Sequence, residues 1–75
     1  MIQLKPSQYL SIAQSLEMLE KLCSVTNISA YSLRKLVEKA EVENIGINIF
    51  PAGRKKLIQT TSLFRYLKIP FEEID

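Results

Sequence analysis

The apolar period of this 75-residue chain changes at Glu43. Before that point, apolar residues recur at intervals of three and four. After it they alternate, with Ile45, Ile47 and Ile49 set against Gly46, Asn48 and Phe50. A period near 3.6 belongs to a helix with one buried face, and a period of two to a strand with one buried face. A chain that carries first one and then the other is restricted to an α+β arrangement in which helices lead and strands follow.

The first series is Tyr9, Ile12, Leu16, Leu19 and Cys23, widened by Leu22. It predicts a helix from about Ser7 to about Cys23, with Ser7 or alternatively Ser11 as N-cap. Val25-Thr26-Asn27 is β-branched and polar and marks its end. Ser29 is the next N-cap candidate. Leu33, Leu36, Val37 and Ala40 then stand at i, i+3, i+4 and i+7, so a second helix follows a connection of about Ser24 to Ile28, with Ile28 reaching toward the core. A strand over residues 45–50 comes next. Pro51 suits position i+1 of a turn, Gly53 can supply a positive φ, and Lys55 through Thr60 reads as the returning strand. Thr60 or Thr61 is expected to cap a short last helix with Leu63, Phe64 and Leu67 inward, stopped by Pro70.

The length allows one domain over residues 1–75. Apolar residues make up 47% of the chain, enough for one small core and too many for disorder. No apolar run approaches the roughly 18 residues of a membrane span, and no continuous apolar stretch follows Lys5, so no signal peptide and no membrane partner are expected. The single cysteine, Cys23, has no internal disulfide partner and reads as a small buried hydrophobe in a reducing, cytoplasmic setting.

The chain contains no histidine and only two glycines, Gly46 and Gly53. That pattern lacks the usual general base, the usual transition-metal ligand set and a glycine-rich phosphate loop. Glu17 and Glu20, three apart with Lys21 beside them, read as a solvated helix face rather than a catalytic pair. The expectation is a non-enzymatic protein with no cofactor, no metal and no small-molecule substrate.

Charge is distributed unevenly. Net charge is only +2, and residues 1–43 carry five basic and five acidic groups. Residues 44–71 carry Arg54, Lys55, Lys56, Arg65 and Lys68 with no acid, and the end of the chain carries Glu72, Glu73 and Asp75. Arg54, Lys55 and Lys56 sit at the expected hairpin tip. Lysine and arginine without competing carboxylates attract a polyanion, although a basic turn also serves simply to solubilise a strand tip. The N-terminal half of the second helix presents Ser29, Tyr31, Ser32, Arg34 and Lys35 outward. In a helix-turn-helix such residues meet base edges, serine reaching either base type and arginine bonding guanine bidentately. Glu38 and Glu41 lie further along and are expected to stay clear of the phosphates. The order of helix, helix, two-stranded hairpin wing and short C-terminal helix is that of a small winged helix-turn-helix.

Residues 27–38, Asn-Ile-Ser-Ala-Tyr-Ser-Leu-Arg-Lys-Leu-Val-Glu, followed by Ile47 through Ile58 and by Thr61-Ser62-Leu63-Phe64-Arg65-Tyr66-Leu67, resemble the excisionase and MerR-like winged-helix family over roughly residues 25–68. The chain differs from that family in placing Glu41-Val42-Glu43-Asn44 before the glycine that follows the second helix. It also carries a longer first helix than is usual there. The resemblance implies a small duplex-DNA-binding protein of a phage, plasmid or integrative element that assists recombination or regulates transcription. It implies DNA contacts from Ser29, Tyr31, Ser32, Arg34 and Lys35 on the recognition helix, and from Arg54, Lys55 and Lys56 on the wing. It also implies a recombinase partner or self-association on DNA. A second reading makes the chain an accessory subunit of a replication or recombination enzyme, bound through the apolar tail residues Ile69, Phe71 and Ile74. Single-strand binding is a further variant, with Tyr31, Phe50 and Tyr66 as stacking platforms.

Overall fold

The first helix begins later than its apolar series implies, because the chain ahead of it is drawn into sheets. In the computed structural model, which describes residues 2–24 and 27–74, the elements run β1 (Gln3–Leu4), β2 (Tyr9–Leu10), α1 (Ile12–Cys23), α2 (Ala30–Val42), β3 (Ile49–Ala52), β4 (Lys55–Gln59), α3 (Thr60–Tyr66) and β5 (Glu72–Glu73). Three helices thus pack with a three-stranded antiparallel sheet of order β2-β4-β3, and β1 pairs with β5 in a separate parallel ribbon. None of the helices among the described residues is long and apolar enough to cross a membrane.

Ser11, not Ser7, caps α1. Its Oγ accepts from the Gln14 backbone N–H at 3.2 Å, and its own N–H donates to Gln14 Oε1 at 3.1 Å, a reciprocal capping box. Tyr9 and Leu10, expected in the helix, instead pair with Gln59 and Ile58 of β4. Leu19 is fully buried and Ile12, Leu16 and Cys23 pack against the core, but Leu22 stays largely exposed and Ser15 turns inward. The helix ends with Ser24 in the left-handed conformation, its N–H donating to Leu19 O. The expected break at Val25-Thr26 lies outside the described residues.

On α2, Ser29 is the N-cap as its position implies, accepting from the Ser32 N–H at 3.1 Å. Leu33 and Val37 are buried, with Leu36 and Ala40 half-buried beside them. Ile28 also packs against the core.

The β-period of residues 45–50 is only partly used. Ile47 is buried, but the strand begins at Ile49. Asn48 is occupied otherwise: its N–H donates to Ser62 Oγ at 3.0 Å and its carbonyl accepts from the Gln59 N–H at 2.9 Å. Pro51 lies within β3 rather than in the turn. This is tolerated because β3 is an edge strand and needs no donor on its open side. Since Ala52 pairs with Lys55, the turn is Gly53-Arg54, with Gly53 at φ 65°. A glycine with positive φ at the first turn position suits the right-handed twist of a hairpin.

Thr60 and Thr61 are helical and buried, and Gln59 holds the N-cap position of α3 without a side-chain cap bond. Helix α3 ends before Pro70 matters: Lys68 adopts a positive φ of 59°, and the Ile69 N–H closes back on Phe64 O at 2.9 Å. Leu63 and Phe64 complete a core of Leu4, Leu19, Leu33, Val37, Ile47 and Ile58. Each such side chain contributes about 1.5–3 kcal/mol by leaving water.

Candidate nucleic-acid interface

The position of the hairpin follows from its strand alternation. Ile58 faces the core, so Lys56, two residues earlier, shares its side, while Lys55 and Leu57 turn to the other. Lys56 reaches α2, where its Nζ lies 2.6 Å from Glu41 Oε1. Arg54, Lys55 and Lys56 come together with Arg34 and Glu38 of α2, and with Ser11, Ile12 and Ala13 at the start of α1, around one open groove of about 430 Å3. The hairpin tip and one side of α2 therefore share a surface.

The expected contact residues of α2 divide into two groups. Arg34 looks into the groove. Tyr31 and Lys35, one helical turn apart, form the neighbouring stripe. Tyr31 is 67% exposed, and Lys35 Nζ sits 5.4 Å from its ring centroid, with Glu38 Oε2 at 3.5 Å. Ser29 and Ser32 are exposed but engaged with each other: Ser29 Oγ donates to Ser32 Oγ at 3.0 Å besides capping the helix. All five are solvent-accessible.

One sequence expectation about charge requires correction. The acid-free run 44–71 is not acid-free in space. Glu41 neutralises Lys56, and Glu73 neutralises Arg65 through an Oε2–Nη2 contact of 3.3 Å. Both acids of the C-terminal half of α2 lie near the basic cluster: Glu38 lines the groove and Glu41 braces the hairpin. The cause is that the hairpin folds back along α2 toward its C-terminal half, which carries both acids. Among the described residues, Lys5, Arg34, Lys39, Arg54, Lys55 and Lys68 form no ion pair. The available positive charge at the groove is therefore Arg34, Arg54 and Lys55.

The apolar tail is largely taken up by the fold. Ile69 and Phe71 pack against the core, and the Phe71 ring meets Phe64 edge-on at 6.1 Å. The Glu72 N–H donates to Ile2 O at 2.7 Å, and the Ile74 N–H to Leu4 O at 2.9 Å. Ile74 is half-buried.

Sequence reading missed the part played by the start of α1. Ser11 to Ala13 reach the groove only because Tyr9-Leu10 pairs with β4, which no local pattern signals. It also missed the Tyr9–Phe50 contact, whose partners lie far apart in the chain, with ring centroids at 6.1 Å.

No protein-family model, curated protein or solved structure matches this chain.

Proposed function

We propose that this chain is a winged helix-turn-helix protein that binds duplex DNA, with α2 as recognition helix and the β3–β4 hairpin as wing. Its role is of the excisionase-like or transcription-regulatory type. The observation that carries this reading is the shared groove, in which Arg34 of α2 lies with Arg54 and Lys55 of the hairpin. A helix set in the major groove brings its outward N-terminal residues to base edges, while a flanking basic hairpin meets the phosphates. In this arrangement Arg34 and Ser32 read bases. Lys35, Arg54 and Lys55 neutralise phosphates, and Tyr31 supplies apolar contact and a hydroxyl. Lys56 supports the wing through Glu41 rather than binding DNA directly.

The test is a titration against pooled random duplex DNA over a salt series. At about −0.9 per phosphate neutralised, Lys35, Arg54 and Lys55 give a log–log slope of roughly −2.7. Arg54→Glu combined with Lys55→Glu is expected to abolish binding while the circular dichroism spectrum and melting temperature stay unchanged, because both side chains are exposed and unpaired among the described residues. Affinity that is flat in salt would remove this reading.

A further inference from the structure

The β2–β4–β3 sheet has a second side, turned away from the helices. Strand register determines which residues share it. Tyr9 stands opposite Gln59, Phe50 opposite Leu57, and Ala52 opposite Lys55. Ile58 is fully buried, so its neighbours Leu57 and Gln59 face outward, and their partners with them. Tyr9 and Phe50 thus flank β4 from either side, and their rings meet edge-on at 6.1 Å with an interplanar angle of 63°. Phe50 is 56% exposed although it is a large apolar side chain. Lys55 lies on the same face by register and forms no ion pair among the described residues. None of the three strands contains a carboxylate.

That combination selects among occupants. A protein partner or a second copy would be served by the apolar surface, but lysine is depleted at the centre of such interfaces. Unpaired nucleobases are served by all of it. Every base has a π-face that stacks on an aromatic ring, and the phosphodiester that follows needs a cation without a nearby acid. We propose that the outer face of the sheet, centred on Phe50 and Tyr9 with Lys55 beside them, is a stacking site for single-stranded nucleic acid. It adjoins the groove between α2 and the hairpin at Lys55, which lines that groove as well. One hairpin then serves two surfaces, Lys56 bracing the first, Phe50 forming the second and Lys55 standing at the edge of both. A protein so built would hold duplex on one side and an unpaired segment on the other.

The chain contains no tryptophan, so Phe50→Trp places a single indole at the site. The full-length variant is titrated with thymidine and uridine homo-oligonucleotides of about 15 nucleotides, within the usual span of such sites, and with random duplex DNA. Both single strands are expected to quench the indole emission, the duplex much less, and the strand whose titration has the lower midpoint identifies DNA or RNA as the source. Phe50→Ala is expected to weaken single-strand binding about tenfold or more while leaving duplex affinity unchanged. Arg34→Ala should do the reverse, so failure of the duplex reading and failure of this one are distinguishable. Because Phe50 is exposed, an unchanged melting temperature verifies that Phe50→Ala folds. No quenching by either single strand, or single-strand affinity indifferent to Phe50→Ala, overturns the proposal. So does a sedimenting dimer that Phe50→Ala dissociates, since the face would then belong to a second copy.

Discussion

Lys56 Nζ lies 2.6 Å from Glu41 Oε1 and ties the β3–β4 hairpin to the C-terminal half of α2. Both side chains are partly exposed, so the pair contributes at most about 1 kcal/mol to stability. Its larger effect is on charge, because it places a carboxylate against a hairpin that is otherwise positive.

Glu41→Gln is expected to tighten duplex binding several-fold and to steepen the salt dependence by about one phosphate equivalent, with stability changed by less than about 1 kcal/mol. Lys56 is then free to meet a phosphate. A salt-series titration beside a thermal melt measures both. Unchanged affinity would mean that Lys56 never reaches the DNA.

The α1 cap joins two reciprocal hydrogen bonds on Ser11 and Gln14. Ser11→Ala removes the side-chain acceptor for the Gln14 N–H. The expected loss is about 1 kcal/mol, or a melting temperature lower by roughly 4–8 °C in a domain of this size. Thermal circular dichroism decides it.

Lys68 holds a positive φ of 59° just after α3, where its N–H donates to Arg65 O at 3.1 Å. A side chain in that region costs about 1 kcal/mol, and glycine does not bear the cost. Lys68 is exposed and forms no ion pair among the described residues, so only the greater freedom of glycine in the unfolded chain opposes the gain. Lys68→Gly should therefore raise the midpoint of chemical denaturation. A lowered midpoint would show that the lysine stem packs on the surface below it.

Burial pushes the Cys23 thiol above its ordinary value. The thiolate is the reactive form, so alkylation of the folded chain should rise at higher pH than alkylation of the chain unfolded in guanidinium. The sign carries over to stability. A group that holds its proton more tightly when folded stabilises the fold below its unfolded pKa, and that contribution fades as pH climbs through the folded value. Mass-spectrometric alkylation rates across alkaline pH test this, and coincident profiles would refute it. The surface pair Glu17–Lys21 at 2.8 Å has the opposite sign on its acid: the lysine's hydrogen bond holds the Glu17 carboxyl low, so that contribution weakens only as pH falls through the lowered value.

Much of the architecture is legible from residue spacing. Leu33, Leu36, Val37 and Ala40 announce α2, and Ser29 announces its cap. Gly53 marks the hairpin turn, and Leu63 and Phe64 mark α3. These are local signals, because a helix face, a cap and a tight turn each involve residues within a few positions of one another. The exposed face of α2 was legible for the same reason, since whatever is not inward on a helix is outward.

The chain's own order of residues thus determines three helices, one hairpin and the side of α2 that meets solvent. It does not determine the pairing of Gln3 with Glu72, of Tyr9 with Gln59 or of Lys56 with Glu41. A two-residue strand leaves no periodic trace, and a charge shows nothing in sequence of the partner that chain reversal will bring to it. Tertiary structure alone decided that α1 starts at Ile12, that a hairpin lysine is neutralised, and that Tyr9 and Phe50 meet on an open sheet. Each of those outcomes depends on contacts between segments distant along the backbone, and only the packing of the whole core sets them.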